Sequence, residues 1–371
     1  MTLKFTVVDA HEDLAWNMLT FGRDYSRSAV ETRKLEQGGE APAHNGDTLL
    51  GWGDYQAGRV ALVFSTLFAA PQRRSQTWDA QVYRDFDQAH DIYWLQVEQY
   101  HRFTDRYPDK FRLVKRKDDV KSLLDCWQKS NQVPEEVSDE SKQCPVGLLI
   151  LMEGAEGVRA PSELEEWWEA GVRVIGPAWI GTRFCGGTNE PGPMTKDGWA
   201  LLEAMQDIGF VLDISHMDEK AALQALERYP GRIIASHANA KALLKGVDSN
   251  RHLATPVIEK LFERDGVMGV VPFNAFLRSD WKPSDGKAAV TLDMVATQID
   301  FICQLAGDAS HVGLGSDFDG GFGYQATPAE INTIADLQKL IPLLQQKGYT
   351  EYDIAAIFSR NWLTLIEGSL P

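Results

Sequence analysis

Short apolar runs alternate along the chain with amphipathic stretches. Eight such runs stand out: Phe5–Val8, Val60–Phe68, Val146–Leu151, Val172–Ile175, Phe210–Ile214, Arg232–Ala235, Val267–Val271 and Val312–Leu314. They are near-continuously apolar rather than alternating, as a parallel sheet covered on both faces requires. Between them the period lengthens to that of helices. Phe86–Phe103 carries Ile92, Leu95 and Tyr100 on one side, and Leu292–Leu305 and Ile354–Ile366 have a similar pattern. Thr195 is placed to cap a helix bearing Trp199, Leu201, Leu202 and Met205. Eight strands with intervening helices predict the α/β class and a (β/α)8 TIM barrel with loop insertions, residues 1–371 forming one domain. An open doubly wound sheet is the alternative, although no G-x-G-x-x-G or G-x-x-x-x-G-K-[ST] supports a nucleotide-binding version. Leu14–Gly58, Gln128–Gln143, Gly181–Pro193 and Leu277–Ala289 read as irregular insertions. Loops of that length serve as lids, binding loops or mobile excursions.

Composition then removes whole classes of function. A chain of 371 residues, 44% hydrophobic and 24% charged, has ordinary globular composition and is neither a peptide hormone nor a small disulfide scaffold. Lys+Arg 37 against Asp+Glu 53 leaves a net charge of −16. Such a surface repels polyphosphate and anionic lipid, so neither nucleic acid nor a membrane is an expected partner. Cys126, Cys144, Cys185 and Cys303 show no C-x-x-C spacing, hence no zinc finger and no redox motif. No secretory leader pattern and no apolar run of membrane-spanning length is visible, so the cytoplasm is the expected location.

Polar residues at the ends of the apolar runs carry the candidate chemistry. Val7-Val8-Asp9-Ala10-His11-Glu12-Asp13 places His11 and Asp13 two apart, on the same face of a strand. The third run ends in Glu153-Gly154, the fifth in Ser215-His216, the sixth in Ser236-His237, and the eighth in Ser316-Asp317-Phe318-Asp319-Gly320. In a barrel these ends converge on one mouth. Three imidazoles with two or three carboxylates suit zinc or a similar divalent ion, and a shared carboxylate would make a two-metal site. A single strand-end His is more often structural, but five such positions at four strand ends are harder to dismiss. Asp9 and Asp213 read as anchors or as partners of the ligands. His44, His90, His101 and His311, with Trp94 and Trp167-Trp168, read as solvated or packing residues.

At these residues the chain resembles the membrane dipeptidase (renal dipeptidase) family, peptidase family M19, a branch of the amidohydrolase-like metallohydrolases. The family's opening H-x-D is matched by His11-Glu12-Asp13, its E-G-A by Glu153-Gly154-Ala155, and its two histidines by His216 and His237. Its R-N-L is matched by Arg251-His252-Leu253, its G-D-F-D-G by Ser316-Asp317-Phe318-Asp319-Gly320, and its tail by Ser359-Arg360-Asn361-Trp362-Leu363. The resemblance implies a barrel with two zinc ions, often a homodimer, hydrolysing dipeptides with a metal-activated hydroxide. His11, Asp13 and Glu153 would hold one ion, and Glu153, His216 and His237 the other. Asp317 would shuttle the proton and Arg251 would bind the substrate carboxylate.

Three positions depart from the family pattern. Trp179 stands where the family carries a substrate-contacting His, His252 stands where it carries Asn, and Pro272-Phe273-Asn274 replaces its usual segment after strand seven. Arg183 is the candidate to replace the missing donor at Trp179, which would then pack on the acyl side chain of the substrate. The signal peptide, lipid-anchor tail and disulfides of mammalian members have no counterpart on this reading. A related amidohydrolase acting on an N-acyl amino acid or a lactone, or a metal-binding barrel without catalysis, are the alternatives. A proton shuttle in Asp317 argues against the last.

Overall fold

The computed structural model describes residues 4–76, 78–130, 143–246 and 249–371. Eight strands, β1 Val7–Glu12, β2 Val60–Leu67, β3 Val146–Glu153, β4 Val172–Gly176, β5 Val211–Asp213, β6 Ile233–Ala235, β7 Val267–Val270 and β8 Val312–Leu314, coincide with the eight apolar runs. All their pairings are parallel, in the order β2-β1-β8-β7-β6-β5-β4-β3, and β2 pairs with β3 to close the ring. The (β/α)8 barrel is therefore the fold, and the open sheet is excluded. A short strand, Phe111–Leu113, pairs with the first residues of β3 outside the ring.

Both faces of each strand are buried, which explains the absence of alternation in the sequence. Val8, Ala10, Leu62, Phe64, Leu149, Leu151, Val174, Val211, Ile234 and Val267 form one cluster with Trp362, Leu365, Ile366 and Leu370 of the C-terminal helical segment. Their strand neighbours, such as Val7, Val63, Leu148 and Ile150, belong to the larger cluster under the surrounding helices. Trp362 donates its indole N–H to the Leu314 carbonyl at 3.0 Å. A side chain at Gly313 would collide with that indole, so only glycine lets the barrel accept this tryptophan.

The insertions are more regular than expected. Leu14–Gly58 contains four short helices, α1 Leu14–Phe21, α2 Ala29–Glu36, α3 Glu40–His44 and α4 Trp52–Gly58, and buries Leu49, Leu50, Trp52 and Tyr55. It is part of the core, not an excursion. Gly181–Pro193 holds an antiparallel hairpin, Cys185–Gly187 with Glu190–Met194, and Leu277–Ala289 holds two 3-10 turns. Within Gln128–Gln143, α6 Lys117–Ser130 ends at residue 130, and residues 131–142 lie outside the described residues. The long helix expected at Phe86–Phe103 is α5, Phe86–Arg106, and Thr195 caps Lys196–Ile208 by accepting from the Gly198 N–H at 3.0 Å. One expectation about cysteine fails. Cys126 on α6 is bridged to Cys144 just ahead of β3, while Cys185 and Cys303 are free and buried. Thiols 18 residues apart meet because Phe111–Leu113 and α6 return the chain to the start of β3. Among the described residues no helix is long and apolar enough to cross a membrane.

Candidate metal centre and active site

The C-terminal strand ends bring the candidate ligands together. His11 Nε2 lies 3.8 Å from Asp13 Oδ2, 3.8 Å from Glu153 Oε2 and 3.9 Å from Asp317 Oδ1. The other Glu153 oxygen, Oε1, lies 3.0 Å from His216 Nε2 and 3.3 Å from His237 Nε2. Glu153 thus faces His11 with one oxygen and the two later histidines with the other. Two overlapping sets, His11–Glu153–His237 and His11–Asp13–Asp317, each have their ligand atoms within 4.8 Å of one another. His216, Asp317 and Asp319 hold φ of 65°, 58° and 62°, a left-handed conformation uncommon outside glycine and concentrated at functional sites. A side chain at Gly320 would strike both Asp317 Oδ1 and Asp13 Oδ2, so this glycine leaves the carboxylates their room.

Neighbouring hydroxyls fix which nitrogen of each imidazole faces the cluster. Ser236 Oγ lies 2.8 Å from His237 Nδ1 and 3.4 Å from His11 Nδ1, and it donates to Asp213 Oδ2 at 2.5 Å. Asp213 Oδ1 also accepts the N–H groups of Ser215 and Ser236, each at 2.9 Å. Thr188 Oγ1 lies 2.9 Å from His216 Nδ1, and the Thr66 hydroxyl donates to Asp13 Oδ1. With their Nδ1 atoms engaged, all three rings turn Nε2 toward carboxylates. Asp213 therefore reaches His237 and His11 through Ser236. Asp9 is bound to the Ser316 hydroxyl and accepts its N–H at 2.6 Å, anchoring the turn that carries Asp317.

Burial sets the charge states. It pushes His11, His216 and His237 well below the ordinary imidazole range, so the rings are neutral and their lone pairs are free. Burial lifts Asp13 to about 7, and burial with repulsion from Asp13 lifts both Glu153 and Asp317 well above the carboxylate range. His11 Nε2 is buried with no hydrogen-bond partner. Packed carboxylates beside neutral imidazoles are costly without a counter-charge, and divalent cations supply it. The donor set fits the ions expected there.

A cavity of about 410 Å³ opens onto this cluster, lined by Asp13, Glu153, His216, Asp317 and Arg251 together with aromatic side chains. Arg251 is 5% exposed, with Nε and Nη1 lacking partners, while Nη2 donates to the His237 carbonyl at 3.1 Å. Burial lowers the pKa of this guanidinium, and Asp317 and Glu153 oppose that shift. Trp179 lines the same cavity, its ring 6.5 Å from that of His216. Arg183 does not join it. Its backbone N–H binds Glu156 Oε1 at 2.8 Å, its guanidinium donates to the Val158 carbonyl, and it stacks over Phe86 at 3.9 Å, away from the cavity lining. Contrary to expectation, Arg183 therefore supplies no donor beside Trp179.

Asp319, the other carboxylate flanking Phe318, is saturated. It accepts from Tyr25 at 2.9 Å, Thr48 at 2.5 Å and the Leu49 N–H at 3.1 Å, and pairs with Arg23 at 3.0 Å. His90, His101 and His311 bind backbone carbonyls, and Trp167 stacks on Trp94, as packing residues do. His44 differs: it stacks on Trp78 at 4.2 Å and lines the cavity.

Residues 1–368 match the membrane dipeptidase family, peptidase family M19. The chain belongs to this family. Membership places it among metallopeptidases. Its relatives include the protein in the pqqA 5′ region of Klebsiella pneumoniae, 33% identical over 232 residues, 60% of this chain and 82% of that protein. The dipeptidase verJ of Clonostachys rogersoniana is 24% identical over 278 residues, 73% of this chain and 63% of that protein. Two other relatives are matched over 58% and 52% of their own lengths. The barrel superposes on the M19 dipeptidase AC with a TM-score of 0.77 at 22% identity over 99% of both chains. It also superposes, with a TM-score of 0.76 at 22% identity, on a metallopeptidase of Rhodobacter sphaeroides liganded with a phosphinate mimic of L-Ala-D-Ala, over 99% and 100% of the two chains.

Within this M19 chain, sequence reasoning missed the aromatic lining: Trp16, Phe68, Trp78, Phe273, Phe276 and Phe322. Phe68 follows the end of β2 directly, so the strand-end rule that found the ligands applies to it too. The remaining aromatics sit in connections whose course the pattern does not reveal.

Proposed function

We propose that this M19 chain is a two-metal dipeptidase using divalent ions, zinc foremost. The observation that carries the reading is Glu153, whose two oxygens face His11 and the His216–His237 pair separately, beside a cavity with a buried, underpaired Arg251. His11, Asp13 and Glu153 would hold one ion, and Glu153, His216 and His237 the other. Bound there, the pair would lower the pKa of a water and polarise the scissile carbonyl. Arg251 binds the C-terminal carboxylate of the substrate through charge-assisted hydrogen bonds, which would satisfy its unpartnered Nε and Nη1. Asp317 lies beside His11 with part of its side chain open to the cavity. It takes the proton of the attacking water and returns it to the leaving amine. The aromatic walls exclude bulk water from these charges.

Loading the chelated protein with zinc and following hydrolysis of each substrate class by product analysis tests the reading. Dipeptides should be cleaved, and N-acyl amino acids and lactones should not. Turnover confined to the latter two would replace dipeptidase with the amidohydrolase alternative; Arg251 does not separate a dipeptide from an N-acyl amino acid, because both carry a free carboxylate. A homodimer is the proposed assembly, measured by sedimentation. On location, the sequence pattern leads to an expectation of the cytoplasm, whereas the Cys126–Cys144 bridge favours an oxidising compartment. Thiol counting on protein quenched directly from cells separates the two.

A further inference from the structure

We propose that Trp179 and Phe68 form a preformed aromatic wall that selects substrates whose N-terminal residue has a large aromatic side chain. The inference rests on the dipeptidase reading above. The order of strands around the mouth supplies the direction. Arg251, Phe273 and Phe276 lie in the connections after β6 and β7, while Phe68 follows β2 and Trp179 follows β4, on the opposite arc of the ring. A dipeptide whose carboxylate pairs with Arg251, and whose amide lies over the central cluster, places its N-terminal side chain over the β2–β4 arc.

That arc presents the apolar faces of Trp179 and Phe68 to the cavity, with Ser75 and Gln76 as neutral polar neighbours. Trp179 and Phe68 meet edge to face at 5.0 Å, and both are partly exposed into the cavity. Trp16 and Trp78 extend the wall, meeting edge to face at 6.1 Å. The arc also carries Arg74 and Asp79, but both are engaged. Arg74 pairs with Glu190 at 3.3 Å, and Asp79 accepts the Gln81 N–H at 2.8 Å. An indole offers a broad apolar face, a single donor and no acceptor, so the contact it favours at Trp179 is with another ring.

Two buried amides hold the Phe68 and Trp16 part of the wall in place before any ligand arrives. Gln96, fully buried on α5, accepts the Phe68 N–H at 2.8 Å and donates to the Phe68 carbonyl at 2.5 Å and to Gln81 Oε1 at 2.6 Å. Gln81 in turn donates to the Trp16 carbonyl at 2.8 Å. Two backbone segments that line the cavity, at Phe68 and at Trp16, are thus fastened to one helix. A wall already ordered spends little of the binding energy on its own ordering, so ring contact goes to discrimination between substrates.

The test compares kcat/KM of the zinc-loaded enzyme for phenylalanyl-alanine and alanyl-alanine, in wild type, Trp179→Ala and Trp179→Phe, with metal content measured for each. Wild type should favour the aromatic dipeptide by about 10-fold or more. Trp179→Ala should erase that preference, phenylalanyl-alanine losing about 10-fold relative to alanyl-alanine, and Trp179→Phe should keep it. Equal or better use of alanyl-alanine by wild type would overturn the inference while leaving the dipeptidase reading intact. So would a uniform loss on both substrates in Trp179→Ala. The absence of turnover on every dipeptide would overturn both.

Discussion

At the scale of single residues, two carboxylates two positions apart have opposite fates, set by what surrounds them. Asp319 spends its oxygens on Tyr25, Thr48, Leu49 and Arg23. Asp317 has a face toward the cavity and lies 3.9 Å from His11. Asp317→Asn keeps size and removes the basic site, so kcat should fall about 10²–10⁴-fold with metal content unchanged. Near-wild-type turnover in that variant would remove Asp317 from the proton transfer. Asp319→Asn instead leaves the buried Arg23 with Glu36 as its remaining charged partner, and should cost about 1–3 kcal/mol in denaturant unfolding. A variant as stable as wild type would show that the pairing contributes little. The chain pattern alone left the choice between these two carboxylates open, because it carries no record of their partners. It likewise singled out Arg183 from its nearness to Trp179, whereas the loop turns that guanidinium toward Glu156 and Val158.

At the scale of elements, legibility follows length and burial. The barrel strands are visible because each is buried on both faces, and the ligands are visible because they end those strands. The helices of Leu14–Gly58 are only 8, 8, 5 and 7 residues long, too short for a helical period to emerge from polar surroundings. The Cys126–Cys144 bridge was hidden for another reason: pairing depends on where α6 returns to β3, and spacing does not state this. The bridge sits at the start of β3 and Glu153 at its end, roughly 30 Å away along the strand. Replacing both cysteines with serine should therefore lower unfolding stability by about 3 kcal/mol, the value for a loop of similar size, and leave kcat/KM unchanged. A loss of activity without loss of stability would contradict that separation of the two strand ends.

At the scale of the whole molecule, the barrel divides its labour between its ends and its middle. Trp362 and the alternating strand residues fill the interior, so the strand ends at the opposite mouth are held rigidly enough to keep like charges close. Burial lifts Asp13, Glu153 and Asp317 together, and the cluster is stable as an ionised unit only with cations among its ligands. Chelation should lower the thermal midpoint as well as abolish hydrolysis, since ions that bind only the folded state stabilise it. An unchanged midpoint after complete removal of metal would show that the cluster tolerates its own charge. The most direct test is a zinc titration of the chelated protein with dipeptide hydrolysis as the readout. The account predicts no turnover without metal and a plateau reached at two equivalents per chain. Full turnover by metal-free protein, or a plateau at one equivalent, would contradict it.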